Sequence, residues 1–383
     1  MHAAQEALIA RIAQAVASGT MLRIRGGGSK DFYGQTLQGE LLETGGLSGI
    51  LSYEPSELVV TALAGTPLAE LEALLAQQGQ HLPFEPPHFS GGAASTATVG
   101  GMVAAGLSGP ARASVGSVRD HVMGVSLING RAEHLTFGGQ VMKNVAGYDV
   151  SRLMVGALGT LGVITQVSLK VLGRARAQAT LRFAMSQQEA IAQINRWGGQ
   201  PLPLNASCWV HDDDQPSLYL RLGGAVAAVQ AACKALGGEL VPEAQADADW
   251  ALCRDQRLPW FTEQRGHDLW RLSVPQTAPV LDLPQAPLIE WHGAQRWVQA
   301  LRADGARVRQ AAVAVGGHAT LFRAADAGAA NAISRDTGTS DSAAADIPHF
   351  TPLAEPLARI HRELKQQFDP AGIFNRGRMF AQF

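Results

Sequence analysis

The chain has 383 residues, of which 46% are hydrophobic and 17% are charged, and its formal net charge is −2. This length allows two or three domains with substantial cores. The absence of a basic excess or a Lys/Arg run argues against nucleic-acid binding. The three cysteines are isolated in sequence. This chain alone therefore cannot ligate an iron–sulfur cluster through four thiolates, and no disulfide framework is expected.

The first predicted element is an N-terminal helix that ends at Gly19. Glu6 and Arg11 interrupt it where a signal peptide would be apolar. No run of about 18 apolar residues occurs, so no membrane span is predicted. With the isolated cysteines, this favours a cytoplasmic protein whose contact with a membrane would be made through partners. The apolar face of the helix consists of Leu8, Ile12, Ala15 and Val16.

Residues 21–172 alternate between short strands and helices. One helix is predicted to have Thr66 as its N-cap, Pro67 in its first turn and Gly79 at its end. The predicted strands of this region cover residues 21–25, 58–64, 122–128 and 163–172.

A change in composition at residues 173–176 predicts a domain boundary. The region that follows contains all seven tryptophans and is predicted to be a small α+β domain with an antiparallel sheet. Its predicted strands cover residues 179–184, 206–211, 217–222 and 268–274, and its predicted helices cover 187–197 and 224–236.

The end of the chain combines a predicted loop and a predicted helix. Residues 324–347 are rich in Ala, Ser, Asp and Gly, which predicts a mobile surface loop. The helix that follows is predicted to end at Asp369-Pro370. Its apolar stripe consists of Leu353, Leu357, Ile360, Leu364 and Phe368.

Four glycine clusters indicate a ligand held by main chain. The first, RGGGSK at residues 25–30, follows a strand, and its amides can form a nest for phosphate oxygens. Ser29 adds a hydroxyl, and Arg25 or Lys30 could balance the charge. The alternative is a glycine-rich hairpin.

The second cluster, residues 98–109, consists of small residues that leave space for a bulky ligand, or else of a helix start packed tightly on a sheet. The third, residues 116–124, delivers Asp120 just before a strand, which is also ordinary turn chemistry. The fourth, residues 143–164, contains Lys143 and Tyr148 and places glycines before an apolar strand, where backbone can lie against a ligand. No GxGxxG follows the first strand and no GxxxxGK[ST] occurs, so a Rossmann or P-loop site is excluded on spacing.

Taken in order, these motifs identify a family resemblance. RGGGSK, TVGGMVAAGLSG, GSVRDHVMGV, KNVAGYDVSRLMVGALGTLGVIT and FDPAGIFNRGRMF resemble the FAD-binding domain of the vanillyl-alcohol-oxidase-type (PCMH-type) flavoproteins. More narrowly, EPPHFSGGAASTATVGG and FGGQVMKNVAGYD resemble the FAD-binding E subunits of bacterial glycolate oxidase. The resemblance covers residues 20–175 and 355–383 well and the middle of the chain poorly.

The resemblance implies an α+β fold with three parts. Residues 1–173 would form a PCMH-type FAD-binding domain of two α+β subdomains. Residues 174–350 would form a small antiparallel-sheet cap with the flexible 324–347 loop, and residues 351–383 a C-terminal helix and tail that return to the FAD domain.

The resemblance also assigns cofactor-binding residues. The pyrophosphate would be held by Gly26, Gly27, Gly28 and Ser29, flanked by Arg25 and Lys30. The ribityl and pyrophosphate would lie along Thr98, Gly100, Gly101, Ala104 and Gly106, with Ser117 and Asp120 nearby. Main chain on the adenine side would come from Gly159, Gly162, Val163 and Ile164, and Asn375 would reach the edge of the flavin ring.

Two positions depart from the family pattern. Covalent members carry a histidine where this chain has Gly28, so non-covalent FAD is expected. Arg376 stands where proline is usual in the closing signature of the family.

A substrate site is less well marked. Oxidation of a 2-hydroxy acid needs a cation for the carboxylate, a base for the hydroxyl proton and a hydride path to the flavin. Arg271 and Arg323 are candidates for the cation, although isolated arginines usually lie on solvated or salt-bridged faces. His318 is a candidate base, with a structural role as the alternative. His211 before residues 212–214 is interpreted as a turn, and no metal is predicted.

The resemblance implies an FAD-binding subunit of a glycolate oxidase or dehydrogenase complex. A homologous FAD-containing catalytic subunit would oxidise glycolate, a small 2-hydroxy acid, to glyoxylate, and an iron–sulfur subunit would accept electrons. Two alternatives remain: a self-sufficient FAD-dependent hydroxy-acid or alcohol oxidoreductase, and a non-catalytic assembly subunit with an FAD fold.

Overall fold

The computed structural model describes residues 3–90, 95–139, 149–212, 215–263, 266–325 and 347–382. Residues 143–148 of the fourth glycine cluster and most of the predicted 324–347 loop lie outside these ranges. None of the described helices is long and apolar enough to cross a membrane. The helices are Ala3–Ser18 (α1), Leu68–Gln77 (α2), Val99–Ala105 (α3), Arg112–Val115 (α4), Val118–His121 (α5), Gln187–Gly198 (α6), Val226–Leu236 (α7), Glu243–Arg254 (α8), Pro259–Thr262 (α9), Gly305–Val313 (α10) and Glu355–Phe368 (α11).

In the described part of the first half of the chain the strands are Leu22–Arg25 (β1), Glu40–Glu43 (β2), Ile50–Glu54 (β3), Val59–Leu63 (β4), Gln80–His81 (β5), Val122–Ile128 (β6), His134–Gly138 (β7), Val163–Lys170 (β8) and Leu172–Gly173 (β9). Five form an antiparallel sheet in the order β3-β4-β8-β6-β7, while β1 and β2 form a parallel pair.

Helix α2 packs on the five-stranded sheet because Leu68, Leu71 and Leu75 fall on one helical face, and all three are fully buried. The predicted cap of this helix is wrong. Pro67 occupies the N-cap position, and the hydroxyl of Thr66 instead accepts from the N–H of Gly49 and donates to its carbonyl. Thr66 therefore joins the start of α2 to the loop before β3.

The second half of the chain forms the sheet that we call the cap sheet. Its strands are Ala177–Ala184 (β10), Leu204–Asp212 (β11), Gln215–Gly224 (β12), Glu239–Val241 (β13), Asp268–Ser273 (β14), Leu288–Glu290 (β15), Gln295–Ala300 (β16) and His318–Arg323 (β17). They lie in the order β13-β10-β12-β11-β15-β16-β14-β17, and every pair is antiparallel.

The cap sheet confirms the predicted antiparallel α+β architecture but is twice as large as the four predicted strands. Strand β16 was missed because all six of its residues are buried, so the sequence QRWVQA shows no alternation of polar and apolar residues. Its outer face carries Val298 and Ala300 in one core, and its inner face carries Trp297 in another. The division of the chain at residue 173 stays a prediction with which this strand order is compatible.

The predicted apolar stripe of α11 is only partly correct, because Leu364 and Phe368 pack against the core of the five-stranded sheet but two other members do not. Leu357 and Ile360 are 52% and 54% exposed, whereas Lys365 is buried. The ammonium of Lys365 donates to the carboxylate of Asp369 at 2.7 Å and to two backbone carbonyls. The tail that follows pairs with β1, where Leu22 and Phe374 form a parallel bridge. A buried ion pair thus anchors the tail beside the first strand.

Candidate functional site

Residues 26–29, here called the glycine loop, follow β1 and lie directly against residues 96–98. A Cβ atom added to Gly27 would overlap the carbonyl oxygen of Thr96, and one added to Gly26 would overlap the hydroxyl of Thr98. Only glycine permits this approach. Among the residues that the structure describes, the four amide N–H groups of the loop have no hydrogen-bond acceptor. Consecutive amides without acceptors fit phosphate oxygens, so the loop suits a pyrophosphate.

Two cations flank the glycine loop. The Nε atom of Arg25 lies 2.8 Å from a carboxylate oxygen of Asp31. The ammonium of Lys30 donates to the Ser29 hydroxyl at 3.2 Å. Burial lowers the pKa of Lys30 to about 8, and the nearby Asp255 carboxylate partly counteracts that effect. The loop is therefore electropositive on both sides, but Arg25 already has a carboxylate partner.

Helix α3 begins at the glycine loop. Thr98 is its N-cap, and the Thr98 hydroxyl accepts from the N–H of Gly101 at 3.2 Å. Gly100 packs against the chain that follows β4, where an added Cβ would lie 2.6 Å from the nearest side-chain carbon. Gly106 ends the helix and lies against the backbone of Gly156. Tight packing of the helix on the sheet therefore accounts for Gly100, and Gly106 serves the helix end.

The Asn375 side chain joins the tail to β1 and to the loop before β8. Asn375 is buried; its carbonyl oxygen accepts from the N–H of Ile24 at 2.8 Å, and its amide donates to the carbonyl of Leu158 at 2.7 Å. Gly159 is required here because a Cβ atom would lie 2.7 Å from the Asn375 amide. The N–H of Leu158 in turn donates to Ala104. Asn375 thus joins the parts of the expected cofactor site.

The start of β8 offers main chain only. The side chains of Val163 and Ile164 are buried in separate cores, and these residues pair with β6. Gly162 approaches β6 closely, since an added Cβ atom would lie 2.8 Å from the carbonyl oxygen of Ile128. This arrangement is compatible with the predicted main-chain role of these residues beside the adenine.

Ser117 and Asp120 bond to each other. The Asp120 carboxylate accepts from the N–H of Ser117 at 2.8 Å and from its hydroxyl at 2.9 Å, which forms a capping box at the start of α5. Burial alone would raise the pKa of Asp120, but these two hydrogen bonds hold it below its usual value. The local turn chemistry considered as an alternative therefore describes this pair.

A cavity of about 20 Å³ lies between the cap sheet and residues 107–110, which follow α3. This is room for about one water molecule. We call it the cap cavity, and the sheet face that lines it the inner face. Helix α8 contributes Cys253 and Arg254. The sheet contributes Arg271, Glu290, Gln295, Trp297 and Phe322.

Of the predicted substrate-binding cations, Arg271 lines the cap cavity. Its guanidinium donates to the Tyr33 hydroxyl at 3.1 Å and lies 5.7 Å from the ring centres of both Tyr33 and Phe322. Within the described residues it has no carboxylate partner. In the described part of the chain, Arg271 therefore does not lie on the solvated or salt-bridged kind of face that is usual for an isolated arginine.

Arg323 lies at the other end of the same aromatic cluster. Its guanidinium donates to the Gln256 side chain at 3.0 Å and lies 4.6 Å from the ring centre of Phe32. Burial lowers the pKa of Arg323 to about 10. Phe89, 5.9 Å from the guanidinium, separates it from the cavity that Phe89 also lines. Arg323 thus supports the wall rather than lining the space.

The predicted base, His318, is exposed at the start of β17 and does not line the cap cavity. Burial of part of its ring, and secondarily the charge of Arg271, lower the pKa of His318. Across the described ranges, no group of three His, Cys, Asp or Glu side chains could hold a metal ion. Asp213 and Asp214, beside His211, lie outside those ranges.

Sequence reasoning missed Glu290. This carboxyl is 3% exposed and lies on the inner face between Ile289 and Trp291. Burial raises its pKa, while hydrogen bonds from Trp297, Cys253 and Gln295 act in the opposite direction. The signal in the sequence was the glutamate in LIEW, because an acidic side chain is rarely buried in an apolar strand unless other groups compensate its charge.

Comparison with known proteins defines the class. A family model described as an FAD binding domain matches residues 3–150. The solved structure of an alkyldihydroxyacetonephosphate synthase superposes with a TM-score of 0.63 at 14% identity, covering 97% of this chain and 74% of that one. That likeness shows the fold alone. The chain is an FAD-binding protein of the PCMH-type oxidoreductase fold, which confirms the predicted fold and cofactor.

Sequence relatives define the family. The glycolate oxidase subunit GlcE of Escherichia coli K12 is 45% identical over 377 residues, which are 98% of this chain and 97% of that protein. The glycolate oxidase subunit GlcD of Bacillus subtilis is 27% identical over 147 residues, 38% of this chain and 30% of that protein. The chain belongs to the GlcE family of glycolate oxidase subunits.

Proposed function

We propose that the chain is the FAD-binding subunit of a complex that oxidises glycolate to glyoxylate and passes the electrons to an iron–sulfur subunit. Family membership supports the assignment to a glycolate oxidase, since the similarity to GlcE extends over 98% of the chain. The structural observation that carries it is the glycine loop, whose four amides have no acceptor in the described part of the chain.

The cofactor is proposed to be held chiefly by main chain. The glycine loop would bind the pyrophosphate, with Lys30 and Ser29 beside it, and main chain from residues 159–164 would line the adenine. Gly28 offers no side chain for a covalent bond, so the FAD would be non-covalent. Bound FAD supplies a two-electron acceptor; the chain's own residues bind and orient it and keep water away.

The proposed partners follow from the same reasoning. Three cysteines are too few to ligate an iron–sulfur cluster, so that cofactor would belong to another subunit. A homologous FAD-containing subunit is the second proposed partner, because the GlcD protein of Bacillus subtilis aligns with 38% of this chain at 27% identity.

A second candidate function is a self-sufficient FAD-dependent oxidoreductase that acts on a hydroxy acid. The observation that favours it is Arg271, a guanidinium that lines the cap cavity without a carboxylate partner in the described residues. A substrate carboxylate would supply the missing anion.

The two candidates differ in what the isolated chain can do. The chain is purified alone and after co-expression with its proposed partners, and flavin content and glycolate-driven dye reduction are measured for both. We expect FAD in both samples and sustained turnover only in the complex. Full turnover by the isolated chain would establish the self-sufficient enzyme, and absence of FAD from both samples would refute the proposal.

A further inference from the structure

Two of the three cysteines lie together on the inner face of the cap sheet. Cys208 on β11 is the cross-strand partner of Glu290 on β15. Residues directly opposite each other in an antiparallel pair share a face, with Cβ atoms about 5 Å apart. Cys253 reaches the same place from α8, because its thiol donates to Oε1 of Glu290 at 3.4 Å. Both thiols therefore lie beside one carboxyl group.

Helix α8 holds Cys253 over the sheet through an apolar stripe. Ala246, Trp250 and Cys253 share one helical face and are the buried residues of this helix. The indole of Trp250 donates to the hydroxyl of Thr180 on β10 at 3.0 Å. This hydrogen bond lies almost one helical turn before Cys253, so it fixes the position of that thiol above the strands.

The two thiols are in direct contact. A hydrogen bond with the Cys208 thiol, followed by burial, raises the pKa of Cys253. Each cysteine is only 4% exposed, and both are free. A thiol with a raised pKa stays protonated at neutral pH, and the protonated form is a poor nucleophile. The pair is therefore stable in its reduced form, while its two sulfur atoms are placed to share one bond.

A groove of about 680 Å³ gives access to both thiols. It lies between the inner face and the helices α8 and α9, and it is lined by Cys208 and Cys253 together with the aromatic rings of Tyr219, Trp250 and Trp260. One water molecule occupies about 30 Å³ of liquid, so the groove has room for many. A small uncharged oxidant such as hydrogen peroxide can therefore reach the sulfur atoms.

The end of α8 connects the thiol pair to the segment that packs on the glycine loop. Asp255 follows the helix, and its carboxylate accepts from the backbone N–H of His88 at 2.8 Å. The ring of His88 in turn forms a hydrogen bond with the Ser95 hydroxyl at 2.7 Å. Ser95 precedes Thr96, which lies against the glycine loop. A displacement of Cys253 can therefore reach the cofactor-binding loop through two hydrogen bonds.

We propose that Cys208 and Cys253 are a modification site, at which a small peroxide forms a reversible disulfide that weakens the retention of FAD. One thiolate attacks hydrogen peroxide, the O–O bond breaks, and the sulfur becomes a sulfenic acid as one water leaves. The second thiol attacks this sulfur, the S–S bond forms, and a second water leaves. In total the two thiols lose two electrons and two protons, and one peroxide gains them to become two water molecules.

The disulfide changes the surroundings of α8 in two ways. It brings the sulfur atoms from hydrogen-bond contact to a separation of about 2 Å. It also removes the thiol proton, so Oε1 of Glu290 loses the donor that Cys253 supplies. Cys253 then moves toward β11, and the hydrogen bond between His88 and Asp255 at the end of α8 is weakened. A dithiol reductant reverses both changes.

The test detects the disulfide and its effect on FAD in one sample. The FAD-loaded chain is exposed to hydrogen peroxide, unfolded in N-ethylmaleimide to trap free thiols, and digested without reduction for mass spectrometry. We expect a cross-linked peptide pair that joins Cys208 to Cys253. FAD release, followed by flavin fluorescence after dilution, should be at least about 3-fold faster, which is the effect of weakening one hydrogen bond. Dithiothreitol should restore both thiols and the slower release.

Cys233→Ala is the matched control, because Cys233 packs in a different core and the variant keeps the pair, so it should respond like wild type. Peroxide should not change FAD release from Cys208→Ala or Cys253→Ala, and flavin content shows that each variant folds. Peroxide treatment that leaves both thiols free, or converts them to separate sulfinic acids, would refute the site. A disulfide that leaves the rate of FAD release unchanged would refute its link to the cofactor.

Discussion

The glycine loop and the cap cavity show two ways of building a binding surface. The glycine loop consists of backbone that lies against backbone, and Gly27 leaves no space for a side chain beside Thr96. The cap cavity is lined by side chains from four strands and a helix, such as Arg271 and Glu290, together with loop residues 107–110. A backbone site is fixed by the absence of side chains, so it leaves a contiguous glycine motif. A side-chain site is assembled from scattered positions and leaves none.

The difference predicts how each region responds to substitution. A change in the glycine loop should disturb folding and cofactor binding together, because the same backbone serves both. A change of one inner-face side chain, such as Glu290, should alter stability while the backbone of the glycine loop and the bound cofactor remain. The following predictions test that separation, from the largest expected effect to the smallest.

The largest effect is expected for Gly27→Ala. The new methyl group would overlap the carbonyl oxygen of Thr96, so one of the two loops must move. We expect loss of nearly all bound FAD and destabilisation of at least about 3 kcal/mol. Flavin absorbance and urea unfolding measure these effects. Gly45→Ala is the matched control, because nothing lies within 4 Å of its added Cβ atom. Normal FAD content in Gly27→Ala would contradict the backbone site.

The tail anchor should be nearly as sensitive. Lys365→Met leaves the carboxylate of Asp369 buried and without its cation, which typically destabilises by about 3–5 kcal/mol. Because the tail carries Asn375 to β1, FAD should also bind more weakly. Urea unfolding and flavin retention are the measurements. Arg359→Met removes an exposed partner of Glu363 and should cost less than about 1 kcal/mol. Equal effects of the two substitutions would show that Lys365 is no anchor.

The region around the glycine loop and helix α11 also show which features of the fold could be predicted from the sequence. The strand that ends at Arg25 and the helix that ends near Gly79 are local patterns, and the structure contains both, as β1 and α2. The stripe of α11 was predicted only in part, because Leu357 and Ile360 are exposed and Lys365 is the buried anchor. A lysine that is buried by an ion pair four residues away is invisible to a hydrophobic pattern.

The cap was predicted less completely for a related reason. Strand β16 is covered on both faces, so its sequence lacks alternation. Glu290 acquires its surroundings from Trp297 and Gln295 on that neighbouring strand and from Cys253 on α8. Such contacts depend on the order of strands in the sheet, and a single sequence without motifs does not specify that order.

The smallest effect concerns the free energy of unfolding and how it depends on the protonation of Glu290. Its pKa is raised in the folded state, chiefly by burial, so the folded chain keeps a proton that the unfolded chain releases as the pH increases. The stability associated with that proton is complete below the unfolded pKa and is lost as the pH rises through the folded pKa. Glu290→Gln, which stays neutral, should therefore gain stability relative to wild type as the pH rises from 4 to 8. The gain is about 1.4 kcal/mol for each unit by which the pKa is raised.

Urea unfolding of the two proteins at several pH values measures this difference. The exposed Glu239, whose side chain is 72% accessible, offers Glu239→Gln as a control for the same substitution at the surface. If Glu290→Gln instead lost stability at high pH, the Glu290 carboxylate would be held in the folded chain as a structural anion by the hydrogen bonds from Trp297 and Gln295.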